Sequence, residues 1–197
     1  MSFSDLLDEI EANDVSQLPT PIVGVDRDLV PSLKRVTAQD RFYFVEADLD
    51  REISFGHFKR FRERDGVYVD PQWVTEVRYA AGLNWCWRRF VCVKELMHAF
   101  DTEAEQANTP EKFRTLLNEL ELRPPDPSQM LNSENRAVWR AMAALAPASL
   151  VVPHEEDYKA GNISDYDVAL SLRIPKFYVP HIMDETFPRI VGLLREL

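Results

Sequence analysis

The segment from about Trp85 to Glu105 constrains this chain more than any other. It contains neither glycine nor proline and carries Phe90, Val91, Val93, Leu96, Met97 and Phe100. Apolar residues spread this broadly around a helical repeat predict a central, mostly buried helix against which the remaining elements pack. Lys94, Glu95 and His98 lie within the same stretch, which makes this helix the first place to look for chemistry.

The flanking sequence predicts an α+β fold. Ser4 is placed to cap a short helix in which Leu6, Leu7 and Ile10 share a face. The Pro19-Thr20-Pro21 stretch then separates residues 1–38, an N-terminal helical extension, from a main domain over residues 39–197. Residues 41–47 are β-favouring, residues 52–61 form a plausible second strand, and Asp65-Gly66 is a turn signal before Val67-Tyr68-Val69. The expected result is a small antiparallel sheet with a hairpin linking 52–62 to 66–70. After Pro71 the pattern becomes helical almost to the C-terminus. It includes a helix near 110–122, a break at Pro124-Pro125-Asp126-Pro127, and a helix starting near Ser133 and running through Trp139 and Met142 to Leu145. A few strands followed by many helices is an α+β pattern, a mostly helical body packed on a small sheet.

Composition narrows the function classes. The chain has 197 residues, 45% of them hydrophobic, and a formal net charge of −10. That length and apolar fraction suit one domain with a substantial core, and the charge disfavours non-specific binding to nucleic acid or an anionic membrane. No run approaches the roughly 18 apolar residues of a membrane span, and the acidic start lacks a signal peptide's pattern, so a cytoplasmic location is expected. Residues 1–50 carry 11 acids and 4 bases, whereas residues 51–100 carry 6 acids and 9 bases, among them Lys59, Arg60, Arg62, Arg64, Arg88 and Arg89. These bases are expected to form a solvated strand face and ion pairs. Cys86 and Cys92 have neither disulfide nor metal-knuckle spacing and are expected to be reduced and structural. Trp85, Trp87, Trp139 and Tyr178 are expected in the core or a pocket wall.

Lys94-Glu95-Leu96-Met97-His98 reads as the zinc-protease pattern His-Glu-x-x-His with lysine in the first position. In the intact pattern two histidines on one helix face hold Zn²⁺ and the glutamate acts as general base. At about 100° per residue, positions 94 and 98 lie roughly 40° apart, so Lys94 points where the missing ligand would be. Its ammonium has three donors and no lone pair, so it coordinates a metal only after losing its proton.

Around this motif the chain resembles the ImmA/IrrE family of zinc-dependent peptidases. Arg88-Arg89-Phe90 precedes the motif with that family's spacing, a strand like Gly66-Val67-Tyr68-Val69-Asp70 comes just before it, and Glu134-Asn135-Arg136-Ala137 fits the Glu-x-x-Ala pattern of a later helix. Residues 161–183 resemble the helix-turn-helix-like segment that ends the family domain. The resemblance spans roughly residues 40–185 and implies a zincin-like fold. It also implies a metal ligand at position 94, a general base at Glu95, and further ligands at His98 and Glu134.

Lys94 removes one of those three ligands, and two protein donors plus water hold zinc far more weakly than three. His57 or His154 would be the available substitutes, though no spacing selects either. The expected cofactor is therefore none, with zinc only if the site is functional. The alternative is that the Lys94 ammonium offsets the repulsion between Glu95 and Glu134 and hydrogen-bonds both, leaving His98 as a partner rather than a ligand. The resulting expectation is a degenerate, non-hydrolysing relative that binds a protein partner such as a transcriptional regulator in a phage, mobile element or stress response. An active metallopeptidase with an unconventional ligand set, or a Lys-Glu-His acid/base site, is the enzymatic alternative. The third is a DNA-binding regulator using residues 161–183, where Ser164 would cap a first helix through Leu172 and Pro175 would open a second carrying Lys176, Pro180 and His181. Residues 151–197 hold 8 acids and 5 bases, no basic stripe, so packing of that pair against the core is expected.

Overall fold

The computed structural model describes residues 2–13, 15, 22–37, 41–64, 66, 68, 70–107 and 109–197. Helix α1 (Phe3–Ala12) opens the chain. Its cap is Ser2 rather than Ser4: the Ser2 side chain accepts from the Asp5 amide and the Asp5 carboxylate accepts from the Ser2 amide. Phe3, Leu6, Leu7 and Ile10 are buried along one face, and the helix packs on those at Val30–Thr37, Gln129–Leu145 and Phe187–Arg195. A π-helical turn (Val25–Leu29) leads into α2 (Val30–Thr37).

The sheet contains β1 (Arg41–Ala47), β2 (Gly56–Glu63) and β3 (Gln72–Ala80) in the order β1-β3-β2. Strands β1 and β2 run in opposite directions with a gap between them. β3 returns from β2 to fill that gap, antiparallel to β2 and parallel to β1. The sheet is therefore mixed, not purely antiparallel as expected.

The second arm of the hairpin also lies later than expected. Residue 65 of the anticipated turn and residues 67 and 69 of the anticipated strand are outside the described residues, and Tyr68 is fully exposed in a turn. The strand begins after Pro71, in sequence anticipated to be helical. Trp73, Val74, Thr75, Val77 and Tyr79 are aromatic or β-branched, and they fit a pleated central strand better than a helix. At its other end β2 begins at Gly56 rather than residue 52, because Asp50–Ser54 closes a turn through its backbone.

Helix α3 (Trp85–Leu96) lies between the sheet and α5 (Gln129–Leu145). The Asn84 side chain caps it by accepting from the Trp87 amide at 3.0 Å. Phe90, Val93 and Leu96 are buried in the main apolar cluster, as the sequence requires of a central helix. The helix is shorter than expected, tightening into a 3-10 turn at Met97–Phe100. Helix α4 (Pro110–Leu122) has its N-terminal proline in the first turn behind a Thr109 cap. Helix α5 starts four residues before the anticipated Ser133, since Ser128 is the residue whose side chain caps it.

Helices α6 (Ala148–Lys159), α7 (Asp165–Leu172), α8 (Val179–Ile182) and α9 (Phe187–Arg195) complete the body. Ser164 caps α7 with Asp167 in a reciprocal box, as its position predicted. The second member of the anticipated pair is only a 3-10 turn (Lys176–Tyr178) followed by the four-residue α8. Its inner residues Val179 and Ile182 are buried, while Lys176 and His181 are exposed. The Arg89 guanidinium, 5% exposed, ties this region to α3. It donates to the carbonyls of Leu172 (3.0 Å), Arg173 (2.9 Å) and Val23 (2.6 Å). Burial lowers its pKa to about 10, with partial compensation from Cys86 and Asp28. Among the described residues no helix is long and apolar enough to cross a membrane.

Candidate functional site

The last turn of α3, the 3-10 turn after it and the first half of α5 bring Lys94, Glu95, His98 and Glu134 together. Lys94 Nζ donates to Glu95 Oε1 at 3.0 Å and to Glu134 Oε2. The other oxygen of Glu134 lies 3.3 Å from His98 Nε2, and Glu95 Oε2 lies 3.9 Å from the same nitrogen. Glu134 thus faces both the lysine and the histidine of the motif. Glu95 is 3% exposed, so its charge needs that ammonium.

The local fold makes this convergence possible. Gly56 at the start of β2 lies against α3, where an added Cβ would stand 2.6 Å from Val91 Cγ1 and 2.7 Å from Glu95 Oε1. Only a residue without a side chain lets the strand approach the carboxylate this closely. Ser54 finishes the corner: its hydroxyl donates to the Gly56 carbonyl at 2.6 Å and accepts from the Gly56 amide at 3.2 Å.

Several members of the site were missed at the sequence level. Asp101, just after the 3-10 turn, accepts from His98 Nδ1 at 2.6 Å. Ser133 is mid-helix, not a cap; it is buried and its hydroxyl donates to the same Asp101 oxygen. Arg136 and Arg140 of α5 each reach within 3.7 Å of Asp101 Oδ1, and Arg136 pairs with Glu105. A signal for Asp101 was present, since an acid three residues beyond a histidine falls on its side of the helix. The two arginines come from tertiary approach and had none.

Electrostatics follow from these contacts. Burial and the Lys94 charge both oppose protonation of His98, but the hydrogen bonds to Asp101 and Glu134 outweigh them and push its pKa up to about 9. Burial would raise Glu134, yet Lys94 and His98 hold it well below the usual carboxylate range. Burial likewise opposes the Lys94 charge, and the paired glutamates more than reverse that, raising it above an ordinary lysine. With His98 protonated, four cations (Lys94, His98, Arg136, Arg140) face four carboxylates (Glu95, Asp101, Glu105, Glu134). The cluster neutralises itself.

This donor set does not suit zinc. Position 94 presents a charged ammonium to the two glutamates, and a metal there would have to displace it and its proton. Among the described residues, no group of three or more His, Cys, Asp or Glu side chains is arranged to hold a metal ion. Neither substitute histidine joins the cluster as a partner. The His57 ring rests 5.9 Å from that of Phe113, and His154 contacts Ser171 at 3.0 Å.

Glu95, His98, Glu105 and Glu134 of the cluster line a cleft of about 500 Å³ between β2 and α4. The β2 wall carries His57, Phe58, Lys59 and Arg60; the opposite wall carries Phe113, Leu116, Leu117 and Leu120. The remaining sequence-flagged residues have structural places. Arg60 and Arg62 lie 4.3 and 4.7 Å from the Trp73 ring centre, Tyr178 stacks on Phe90 at 4.0 Å, and both cysteines are free. Trp85 departs from expectation, being 46% exposed.

The molecule is thus an α+β protein with a self-neutralised charge cluster under an open cleft. Compared with protein-family models, with curated proteins and with solved structures, the chain matches none of them.

Proposed function

We propose that this protein is a zincin-like, ImmA/IrrE-type scaffold in which Lys94 replaces the charge of the metal, and that it acts by binding a protein partner in the cleft rather than by cleaving it. The observation that carries the reading is the pair of bonds from Lys94 Nζ to Glu95 and Glu134. In the resembling family those positions would supply the general base and the third ligand. A cation fixed between them answers the same electrostatic need as Zn²⁺ but supplies no Lewis acid and activates no water.

Lysine chemistry does not substitute for the metal's. An ammonium whose pKa is raised by two carboxylates is a poor base and a poor nucleophile, since both roles need the neutral amine. Glu134, held ionised by its two cations, has no proton to donate. Binding is supported by the cleft itself, whose one wall is an edge strand. Edge strands offer backbone groups to an added extended segment. The resemblance suggests a transcriptional regulator as partner, within a phage, mobile element or stress response.

Elemental analysis and zinc titration of the wild type and Lys94→His test the proposal. The wild type should carry no stoichiometric zinc, and Lys94→His should gain zinc affinity. Stoichiometric zinc on the wild type through His98 and Glu134 would overturn it; no gain in the variant would mean that Glu134 is not placed as a ligand.

A further inference from the structure

Side chains of both signs line the cleft, Lys59, Arg60 and His98 together with Glu95, Glu105 and Glu134, so net charge does not choose its occupant. The backbone of β2 does. Residues 56 to 60 all line the cleft, whichever sheet face their side chains take, so the cleft runs along the edge of the strand. In the order β1-β3-β2, no strand lies beyond that edge among the described residues. The ladder fixes which backbone groups point outward. Phe55 accepts from the Ala80 amide at 2.9 Å, and in an antiparallel pair bonded and non-bonded partners alternate. His57 and Lys59 therefore direct their N–H and C=O to β3, while Gly56 and Phe58 turn theirs to the cleft. These two outward residues differ. At Gly56 the Ser54 hydroxyl answers both groups, accepting from the amide at 3.2 Å and donating to the carbonyl at 2.6 Å. Phe58, the next outward position, has no such cap among the described residues.

We propose that an extended, apolar segment of the partner protein pairs with β2 at Phe58, and that Ser54 ends the pairing by capping Gly56. This rests on the partner-binding reading above and goes further by giving the segment a register, a stop and a side-chain class. One residue of the segment exchanges both backbone hydrogen bonds with Phe58. The neighbouring position, Gly56, is closed to it because the Ser54 hydroxyl already holds both groups. Ser54 is thus a specificity-determining residue. A bare edge lets an added strand slip by two residues with its side-chain faces unchanged, and a capped position removes that freedom. Side chains of the segment turned toward α4 meet Phe113, Leu117 and Leu120, which select apolar residues there.

The probe is a display library of short random peptides panned against the immobilised full chain. Selected peptides should be enriched in Val, Ile, Leu and Phe without bias in net charge. Methylating their backbone amides one at a time should weaken binding about tenfold at the residue facing Phe58, the loss of one hydrogen bond, and leave it unchanged at the residues on either side. Hydrogen exchange at the Phe58 amide should slow when the peptide binds. In Ser54→Ala, whose folding an unchanged melting curve establishes, the Gly56 amide should slow on binding as well, and a second methyl-sensitive position should appear two residues along the peptide. A flat methylation scan, or unaltered exchange at Phe58, would overturn the pairing while leaving the partner-binding reading intact. Peptide contacts that are identical in wild type and Ser54→Ala would overturn the role of Ser54. No enrichment over the bare matrix would overturn both this proposal and the partner-binding reading.

Discussion

Lys94 and Glu134 are 40 residues apart in the chain and share a hydrogen-bonded ion pair where α3 meets α5. The pair is largely buried, with side-chain exposures of 15% and 25%. Removing one partner from such a pair leaves an uncompensated charge, which costs far more than the net worth of the pair. Lys94→Met is therefore expected to destabilise the protein by about 3 to 5 kcal/mol. Adding Glu134→Gln should restore part of that loss. Urea denaturation of the single and double variants checks this, and equal stabilities would contradict it.

His98 gives the fold a pH dependence on the alkaline side. Its pKa is raised from 6.5 to about 9, so the folded state binds its proton more tightly than the unfolded state. The stabilisation is complete below about pH 6.5 and is lost as the pH rises through 9. The shift is worth about 3 kcal/mol. Denaturation midpoints should fall across this window in the wild type, and the slope should flatten in His98→Asn. A wild-type stability that is constant from pH 6.5 to 9 would count against the Asp101 and Glu134 contacts.

Gly56→Ala probes the approach of β2 to the cluster. The new methyl would meet Val91 and Glu95 at 2.6 and 2.7 Å, so one of them must move. The expected cost is about 1 to 3 kcal/mol, as for other overpacked sites. Any displacement of Glu95 also loosens its 3.0 Å bond to Lys94, so the effect should shrink in a Lys94→Met background. A thermodynamic cycle with strictly additive losses would contradict that coupling.

Arg89→Leu should detach the C-terminal helices from α3. Three backbone carbonyls, those of Val23, Leu172 and Arg173, lose a charged donor. Each buried acceptor left unsatisfied costs about 1 to 3 kcal/mol. Hydrogen exchange should show faster opening in α7 and α8 than in β3, whereas uniform loss of protection would show that Arg89 acts on the whole fold.

Much of this site was legible because its signals are local. The apolar surround of α3 was written in Phe90, Val93 and Leu96, and the Lys94–His98 spacing placed both side chains on one face. Glu134 was found through pattern resemblance alone; its helix was read from Ser133 because the true cap, Ser128, is screened by the neighbouring prolines. Strand β3 was misread as the start of the helical pattern expected after Pro71, although Val74, Thr75 and Val77 are β-branched. The mixed sheet was not legible at all. Inserting β3 between β1 and β2 is a tertiary event, and neither strand's alternation records its neighbour. The approach of Arg136 and Arg140 to Asp101 is hidden for the same reason.

Nitrogen-15 NMR of the Lys94 side chain, assigned with Lys94→Arg, tests the central claim most directly. The account predicts a protonated, slowly exchanging Nζ that remains charged above the pH at which ordinary lysines titrate, changes in Glu134→Gln, and is unaltered by one equivalent of Zn²⁺. A neutral amine near pH 7, or stoichiometric loss of the signal on adding zinc, would contradict it.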